Sequence, residues 1–369
     1  MVDKDKTIIV GHGRYEASKL LGLKDVPVEI VNLTKEQANT YRLADNKLNE
    51  SDWDMDLVIE VLKGLSESMI DLTGFDKDLI IEPDEKDDEV PDVPKEAKAK
   101  LGETYQLGKH RIMCGDSTKM EDVEKLMDGK KADMVFTDPP YNVNYSGKGK
   151  ETSNTIENDS MSEEAFNEFL LKTFESYKSA VKISAPFYVC HSSSSQIIFE
   201  QAMKKTDLIV KNQIIWNKTV ASMGWGDYRW KHEPIFYATY GKKDVQFYGD
   251  RSEYTVWNES WDIKKIEKRL KAIAQKQEKG GSTVWTLSRD TNYKHPTQKP
   301  IELLSMALFN SSKAEDIILD LFLGSGSTLI ASEKTNRICY GMEIDPKYID
   351  VIIQRYEDYT GNKAKKLSG

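Results

Sequence analysis

A glycine-rich turn between an apolar run and a helical pattern is the first segment with the features of a ligand site. It reads Asp320-Leu-Phe-Leu-Gly-Ser-Gly-Ser-Thr328, and its glycines, Gly324 and Gly326, would let a ligand approach the backbone. Seventeen residues after Gly326, Glu343 ends the next apolar run, where a carboxylate can accept both hydroxyls of a ribose. Leu329 takes the place of the third glycine or alanine of a dinucleotide fingerprint. The pattern favours a nucleoside ligand without a pyrophosphate, and a purely structural turn is the alternative.

The second motif is Asp138-Pro139-Pro140-Tyr141, directly after a predicted strand. Two consecutive prolines stiffen the backbone and remove two N–H donors, which leaves a carboxylate and carbonyl oxygens as acceptors beside an aromatic ring. Such acceptors suit an amine with two hydrogens on a planar ring. A rigid surface turn would explain most Asp-Pro-Pro triplets, but the apolar strand before this one and the tyrosine after it favour an amine receptor.

The elements that must position these motifs alternate along the C-terminal part of the chain. Strands are predicted at His110–Cys114, Ala132–Thr137, Phe187–His191, Gln213–Trp216, Ile235–Tyr240, Ile317–Phe322 and Ile338–Glu343. Helices are predicted at Ser162–Lys178, with Ser160 and Glu163 at capping-box spacing, and at Pro300–Asn310, Thr328–Thr335 and Lys347–Thr360. This alternation predicts a mostly parallel sheet with helices on both faces.

The order of the motifs constrains the topology. Fewer than 50 residues follow the glycine turn, too few to complete a doubly wound sheet, so the remaining strands must come from upstream. We therefore predict an α/β fold with a circularly permuted, Rossmann-like sheet in which both motifs meet at the carboxyl ends of strands.

An acidic stretch indicates the domain organisation. Between Glu82 and Asp92, seven acids and one lysine give a net charge of −6, which leaves −3 of the chain's −9 for all other residues. A nucleic-acid partner is therefore not excluded. Prolines and like charges predict an extended, solvated linker over residues 82–100. It would separate a small α+β domain over residues 1–81 from a large domain over residues 101–369.

The small domain should contain two strands and three helices. The strands are predicted at Thr7–Val10 and Val26–Val31, and the helices at Tyr15–Leu21, Thr34–Leu48 and Met55–Leu65.

Composition limits the compartment and the redox chemistry. No apolar run approaches the roughly 18 residues that span a bilayer, and the first residues lack the apolar stretch of a signal peptide, so we expect a cytoplasmic protein without a membrane partner. Cys114, Cys190 and Cys339 are dispersed in apolar runs, which indicates reduced core thiols and no metal site.

Over about residues 100–362 these motifs, in this order, resemble the S-adenosylmethionine-dependent amino methyltransferases of DNA of the beta group. Cys114-Gly-Asp-Ser117 is similar to the segment whose acid, here Asp116, contacts the adenine of the cofactor. His295-Pro-Thr-Gln-Lys-Pro300 resembles the segment that lines the methionine end, with Thr297 and Lys299 as contacts. The segments Ile214–Thr219 and His232–Tyr237 resemble the paired strands that border the target base. At the glycine turn the resemblance implies cofactor binding by Asp320, Phe322, Gly324, Gly326, Thr328 and Glu343.

The resemblance implies methyl transfer from S-adenosylmethionine to adenine N6 in double-stranded DNA, at a base flipped out of the duplex. Asp138, Pro139, Pro140 and Tyr141 would form the catalytic loop, with the amine bonded to Asp138 and to the Pro139 carbonyl and with Tyr141 stacked on the base. No metal is needed. Cytosine N4 is the alternative target, and a non-catalytic DNA-binding adaptor with the same fold is the alternative class. Methylation of protein glutamine fits less well, because that family resembles an Asn-Pro-Pro-Tyr pattern in unpermuted order.

Two further regions resemble parts of such enzymes. The insert at about residues 244–293 lies where the family has its recognition region, and a basic helical pattern over Ile263–Lys279 could follow phosphates. Residues 7–65 resemble the second half of a ParB-like domain, for which we expect a docking or spacer role. A cognate restriction nuclease and a homodimer are left open.

Overall fold

The structure, a computed structural model, describes residues 1–48, 55–75, 80, 87–143, 160–218, 230–242, 247–249, 255–258 and 298–368. The described residues up to 80 belong to one compact unit, and those from 87 onward belong to another. The boundary falls where the sequence predicts the acidic segment to begin.

Some predicted features lie outside the described residues. They are the helix at Ile263–Lys279, most of the predicted recognition insert, His295 and Thr297.

The first unit is small and mainly helical. Strands β1 (Val2–Asp3) and β2 (Ile30–Val31) pair in parallel. The helices are α1 (His12–Leu20), α2 (Lys35–Leu48), α3 (Met55–Lys63) and α4 (Glu67–Thr73). Leu43, Val58, Leu62, Ile70 and Phe75 form its buried core.

The predicted strand at Thr7–Val10 is wrong. The Asp3 carboxylate accepts hydrogen bonds from the main-chain N–H groups of Asp5 and Thr7, which turns the chain back. Only an isolated antiparallel bridge between Val2 and Ile8 remains.

The second unit is built on one ten-stranded sheet. In chain order its strands are β3 (Thr104–Leu107), β4 (His110–Cys114), β5 (Met134–Thr137), β6 (Pro186–Cys190), β7 (Leu208–Asn217), β8 (His232–Tyr240), β9 (Val256–Asn258), β10 (Ile317–Asp320), β11 (Ile338–Glu343) and β12 (Lys365–Ser368). Their order across the sheet is β12-β3-β4-β11-β10-β5-β6-β8-β7-β9.

The centre of this sheet is parallel and its flanks are largely antiparallel. The neighbours β4, β11, β10, β5 and β6 all run in one direction. Strands β10 and β11 come late in the chain yet lie between β4 and β5, which is the placement that the motif order requires. The α/β fold is thus confirmed. The prediction of a mostly parallel sheet holds for the centre. On the flanks, the pairs β12–β3, β3–β4, β6–β8 and β8–β7 are antiparallel, and only β7 and β9 pair in parallel there.

Helices cover both faces of the sheet. They are α5 (Met120–Met127), α6 (Glu163–Ala180), α7 (Gln196–Lys205), α8 (Ile301–Ser311), α9 (Ser327–Lys334) and α10 (Pro346–Thr360). One buried cluster contains apolar residues of α8, α9 and α10, and the other contains those of α5, α6 and α7. The sheet is therefore enclosed between two apolar layers, as a parallel sheet requires.

The cap of α6 differs from the prediction. Ser162 is the N-cap residue, and its hydroxyl accepts a hydrogen bond from the Ala165 N–H at 3.2 Å. Glu163 is then the first helical residue, so the capping box predicted with Ser160 does not form.

The prediction of a solvated linker is wrong for the residues described, 87–100, here named the acidic strap. Asp87 is buried, and its carboxylate forms an ion pair with Lys334 on α9. The main-chain oxygen of Asp87 accepts a hydrogen bond at 2.8 Å from Arg355 on α10, which is 3% exposed.

The rest of the strap is also tied to the second unit. The Asp88 carboxylate accepts the N–H of Ile301, the first residue of α8, at 3.0 Å, and its carbonyl accepts the Gln298 side chain at 2.8 Å. Further along, the N–H groups of Lys98 and Ala99 bind the Asp350 carboxylate. The composition of the strap predicts that it is solvated. Its partners lie about 200 residues or more away in the sequence, so the composition of the strap alone does not reveal these contacts.

Two other predictions can be compared with the structure. All three cysteines are free and buried, which confirms the predicted core thiols. Among the described residues, no helix combines the length and apolar character that a bilayer crossing demands.

We predict that Asp87→Ala lowers the free energy of unfolding of the second unit by about 3–5 kcal/mol, the usual cost of removing one partner of a buried ion pair. Lys334 would lose its carboxylate while remaining buried. Urea unfolding followed by tryptophan fluorescence measures this, because six of the seven tryptophans lie beyond residue 215.

Glu89→Ala is the matched control, because Glu89 belongs to the same strap but is exposed. Its unfolding free energy should stay within about 0.5 kcal/mol of the original chain. Equal midpoints for the two variants would show that the segment is a solvated linker after all.

Candidate active site

The glycine turn lies after β10 and is shaped by its own buried polar groups. Gly324 and Gly326 have φ angles of 53° and 87°, in the left-handed region that favours glycine. A Cβ on Gly326 would lie 3.2 Å from the Ile352 side chain, whereas nothing lies within 4 Å of the corresponding position on Gly324. The backbone at Gly324 is therefore open to a ligand.

Two of the predicted cofactor residues bond to each other inside this turn. Asp320 is 3% exposed, and its carboxylate accepts the Thr328 hydroxyl at 2.6 Å and the Phe322 N–H at 3.0 Å. Burial raises the pKa of Asp320 to about 7. The side chains of Asp320 and Thr328 thus hold the shape of the turn.

Glu343, at the end of β11, faces the same turn. One carboxylate oxygen accepts the Gly324 N–H at 2.8 Å, and the other accepts the Asp345 N–H at 3.0 Å. Burial raises the pKa of Glu343 to about 7. Each oxygen of an ionised carboxylate can accept a second hydrogen bond, so two hydroxyl donors could still bind here.

Asp116 lies at the same edge of the sheet. Strands β4 and β11 are paired with Cys114 opposite Glu343, and the Gly115 N–H donates to the Glu343 carbonyl at 3.0 Å. The Asp116 carboxylate accepts both the N–H and the hydroxyl of Thr118. The structure therefore brings Asp116, Glu343 and the glycine turn together, as the sequence predicts.

Arg355 is a residue of this region that sequence reasoning missed. One guanidinium nitrogen donates to the Ser325 carbonyl in the glycine turn at 3.0 Å, and the other donates to the Asp87 carbonyl in the acidic strap. Arg355 therefore joins the turn to the strap. A basic residue on the apolar face of the predicted C-terminal helix is the sequence signal that could have revealed it.

The Asp138 motif follows β5, the neighbour of β10, so it lies at the same carboxyl edge. Tyr177 on α6 ties the two loops together, since its buried hydroxyl bonds to the Thr137 side chain at 2.6 Å and accepts the Leu321 N–H at 2.7 Å. The charge of Asp138 contributes to the raised pKa of Asp320. The Asp138 motif and the glycine turn are thus neighbours.

Asp138 belongs to a group of five side chains that we name the charge cluster. The members are Asp138, Tyr141, Lys218, Glu233 and Lys299.

The Lys299 ammonium lies 2.5 Å from an oxygen of Asp138 and 2.8 Å from an oxygen of Glu233. The Tyr141 hydroxyl bonds to the other Asp138 oxygen, and it lies 2.6 Å from the Glu233 oxygen that Lys299 contacts. Lys218 pairs with the second oxygen of Glu233.

Burial and mutual charge set the ionisation of this cluster. Burial raises the pKa of Asp138, and the charge of Lys299 opposes that effect. Burial also disfavours ionised Glu233, but Lys218 and Lys299 outweigh it and lower the pKa of Glu233. The two carboxylates outweigh the desolvation of Lys299 and raise its pKa. The cluster thus brings two carboxyl groups and two lysine side chains together.

The observed partners of Lys299 differ from the expected contact with the methionine end of a cofactor. Its side chain is 7% exposed and lies between the two carboxylates. Ligand atoms of Asp138, Cys190 and Glu233 lie within 4.8 Å of one another, a spacing that could suit a metal ion, but the Lys299 ammonium contacts both carboxylates of that group.

Sequence reasoning missed Glu233, Lys218 and Tyr177. Glu233 is an acid within the apolar run His232–Tyr240, and a buried charge in such a strand is the signal that marks it. Lys218 follows the end of β7, within the segment Ile214–Thr219 that resembles a strand bordering the target base, but the resemblance assigns no role to its side chain. Tyr177 lies on the apolar face of α6. The sequence pattern therefore predicts that it packs in the core and does not indicate that its hydroxyl forms hydrogen bonds.

Comparisons with known proteins agree with this site. A family model described as DNA methylase matches residues 132–355. The Type II methyltransferase M.HinfI of Haemophilus influenzae is 29% identical over 264 residues, which cover 65% of this chain and 67% of that protein. The DNA adenine methyltransferase YhdJ of Escherichia coli (strain K12) is 25% identical over 250 residues, 66% of this chain and 82% of that protein.

Among solved structures, the chain is similar to the M1.HpyAVI–SAM complex, with 19% identity and a TM-score of 0.46 over 66% of this chain and 98% of that one. Because the matched family model covers more than half of the sequence and includes both the Asp138 motif and the glycine turn, the chain belongs to the DNA methylase family.

Proposed function

We propose that this chain transfers a methyl group from S-adenosylmethionine to the N6 amine of adenine in double-stranded DNA. The observation that carries the proposal is the position of two carboxylates at one edge of the sheet. Asp138 follows β5 and Glu343 ends β11, and both strands flank the strand β10 that bears the glycine turn.

The glycine turn fits the nucleoside part of such a cofactor. Glu343 retains acceptor capacity for two ribose hydroxyls, and the open backbone at Gly324 leaves room beside it. The other cofactor residues that we propose are Asp116, Thr297, Lys299, Phe322 and Gly326, together with Asp320 and Thr328, which hold the shape of the turn. When bound, the cofactor supplies a methyl group on a positively charged sulfur.

Asp138 and the main chain of Pro139 would hold the target amine. An exocyclic amine of adenine is a poor nucleophile because its lone pair is delocalised into the ring. A carboxylate that accepts an amine hydrogen favours the rehybridised nitrogen and stabilises the positive charge that develops there. The raised pKa of Asp138 also suits its carboxylate to take up the proton that the nitrogen must lose.

The amine has to reach a partly buried carboxylate. The Asp138 side chain is 19% exposed, so a base within a duplex could not touch it. We therefore propose that the target base is flipped out of the helix and that the Tyr141 ring stacks on it.

Adenine is favoured over cytosine by the first residue of the catalytic motif. Asp138 stands where a serine would favour cytosine N4, and the relative YhdJ carries the name DNA adenine methyltransferase. Expression in cells that lack adenine and cytosine-N4 methylation, followed by mass spectrometry of the hydrolysed DNA, tests the choice. N6-methyladenine supports the proposal, and N4-methylcytosine alone would overturn it in favour of the alternative.

The remaining parts of the chain would serve DNA recognition and docking. We propose that the insert at about residues 244–293 reads the target sequence and that residues 1–81 form a partial ParB-like docking module. The cytoplasm is the compartment in which such a protein would meet its DNA.

We predict that Asp138→Ala lowers the single-turnover rate of methyl transfer by about 10²–10³-fold, because it removes a group that stabilises charge in the transition state. The dissociation constant for S-adenosylmethionine should stay within a few fold, since Glu343 lies on a separate strand. Rapid-quench kinetics and calorimetry measure the two quantities. Equal loss of both would contradict the assignment of Asp138 to the amine.

We predict that affinity for S-adenosylmethionine falls as the pH drops below about 7, up to tenfold per unit. The pKa of Glu343 is raised to about 7 in the free protein, and only its ionised form can accept both ribose hydroxyls. The proton that occupies Glu343 at lower pH must leave before the cofactor binds. Calorimetry between pH 5.5 and 7.5 gives the slope.

Glu343→Gln should remove this slope and weaken binding by about 1–3 kcal/mol at pH 7.5. The variant keeps Asp320, whose pKa also lies at about 7, so a slope that persists would assign the pH dependence to Asp320 instead.

A further inference from the structure

Both oxygens of Asp138 already have donors. The Tyr141 hydroxyl bonds to one oxygen, and the Lys299 ammonium lies 2.5 Å from the other. Each oxygen could accept one further hydrogen bond, but an amine bound there would lie beside the Lys299 ammonium, whose charge opposes the positive charge that develops on the amine nitrogen, so methyl transfer is favoured when Lys299 moves away from Asp138. Lys299 is the costly one to displace, because a buried ammonium without a partner is strongly unfavourable.

Glu233 supplies the place to which these donors can move. One of its oxygens lies 2.8 Å from the Lys299 nitrogen and 2.6 Å from the Tyr141 hydroxyl. Both donors of Asp138 thus share Glu233 as a second acceptor. A small movement toward Glu233 would release Asp138 without leaving either donor unpaired.

Lys218 keeps Glu233 able to do this. It pairs with the Glu233 oxygen that faces away from Lys299, and its charge helps to lower the pKa of Glu233. Glu233 therefore stays ionised beside a second carboxylate. An uncharged residue at position 233 could accept a hydrogen bond but could not balance the charge of Lys299.

We propose that Glu233 is a positioning residue for methyl transfer, which takes over Lys299 and Tyr141 from Asp138 when the target amine binds. The inference rests on the proposed function, because it concerns access of that amine to Asp138. It explains why β8 carries an acid into the apolar core of the sheet, where a charge is otherwise costly.

The charges that face Asp138 set the pH below which methyl transfer slows, and a residue that served only the stability of the fold would not move that pH. Asp138 is faced by Lys299, by Tyr141 on its own loop, by Glu233 on β8, and by Cys190 and Asp320 at the ends of β6 and β10. The charge of Glu233 raises the pKa of Asp138, and the charge of Lys299 lowers it. Removing Glu233 should therefore move the acid limb of the rate profile to lower pH, and removing Lys299 should move it to higher pH.

The test is single-turnover methyl transfer to duplex DNA between pH 5 and 9, with S-adenosylmethionine saturating. Glu233→Gln should be about 10–100-fold slower at pH 8, the usual loss when a residue that orients a functional group is removed. Its acid limb should shift down by about one pH unit, the scale on which a neighbouring charge moves a carboxyl pKa. Lys299→Gln should shift the limb up.

Glu103→Gln is the matched control. Glu103 is another buried acid bonded by a lysine, Lys366, and a tyrosine, Tyr105, but it lies outside the site. This variant removes the charge of a buried acid in a similar cluster, so it shows how much such a change affects the stability of the fold. Its rate at pH 8 and its acid limb should match those of the original chain.

Several outcomes would overturn the inference. They are an unshifted acid limb in Glu233→Gln, a rate equal to that of the control, or a shift of Lys299→Gln in the same direction as Glu233→Gln. If Glu233→Gln does not fold, Glu233→Asp takes its place, because it keeps the charge but withdraws the carboxylate from Lys299 and Tyr141; a rate equal to that of the original chain would then overturn the inference. Absence of methyl transfer by the original chain would instead overturn the proposed function itself, so the two failures are distinguishable.

Discussion

A carboxylate that must act on an amine has to remain ionised where water is largely excluded. Burial raises the pKa of Asp138 and so disfavours its ionised form, which would stabilise a positive charge on the proposed target amine better than the protonated acid would. Lys299 opposes this effect, but an unshared lysine would also block the carboxylate. The second pair, Glu233 with Lys218, keeps the local charge balanced. Glu233 also offers Lys299 a second carboxylate to which it can bind.

The mixed topology of the sheet delivers these charges to one place. Parallel strands present their carboxyl ends at a common edge, which brings Asp138, the glycine turn and Glu343 together. Strand β8 runs antiparallel to β6, so its first residues lie beside the last residues of β6, with Ile235 opposite Cys190. Glu233 near the start of β8 therefore reaches the same edge. If β8 were parallel to β6, the last residues of β8 would lie at this edge of the sheet, and Glu233 would lie at the opposite edge.

The sequence predicted the parts of the site that depend on local backbone chemistry. Glycines in left-handed conformations, consecutive prolines and an acid at the end of an apolar strand all have local signatures, and Gly324, Asp138 and Glu343 lie together as expected. The partners of these residues could not be predicted in the same way. Glu233 meets Asp138 across about 95 residues of sequence, and Lys299 meets it across 161. Such contacts depend on the order of the strands in the sheet.

For the acidic strap, local composition predicted exposure to solvent, whereas the structure shows contacts with residues far away in the sequence. Its composition is that of a solvated tether, and by itself it has too few apolar groups to fold. Arg355 and Lys334 lie on helices whose other residues build the core, so each cation needs an acceptor that the helices do not supply. The strap provides those acceptors. Arg355 also donates to the Ser325 carbonyl, and Asp88 binds the start of α8 beside Gln298 and Lys299. The strap therefore supports both the glycine turn and the segment that carries Lys299 of the charge cluster.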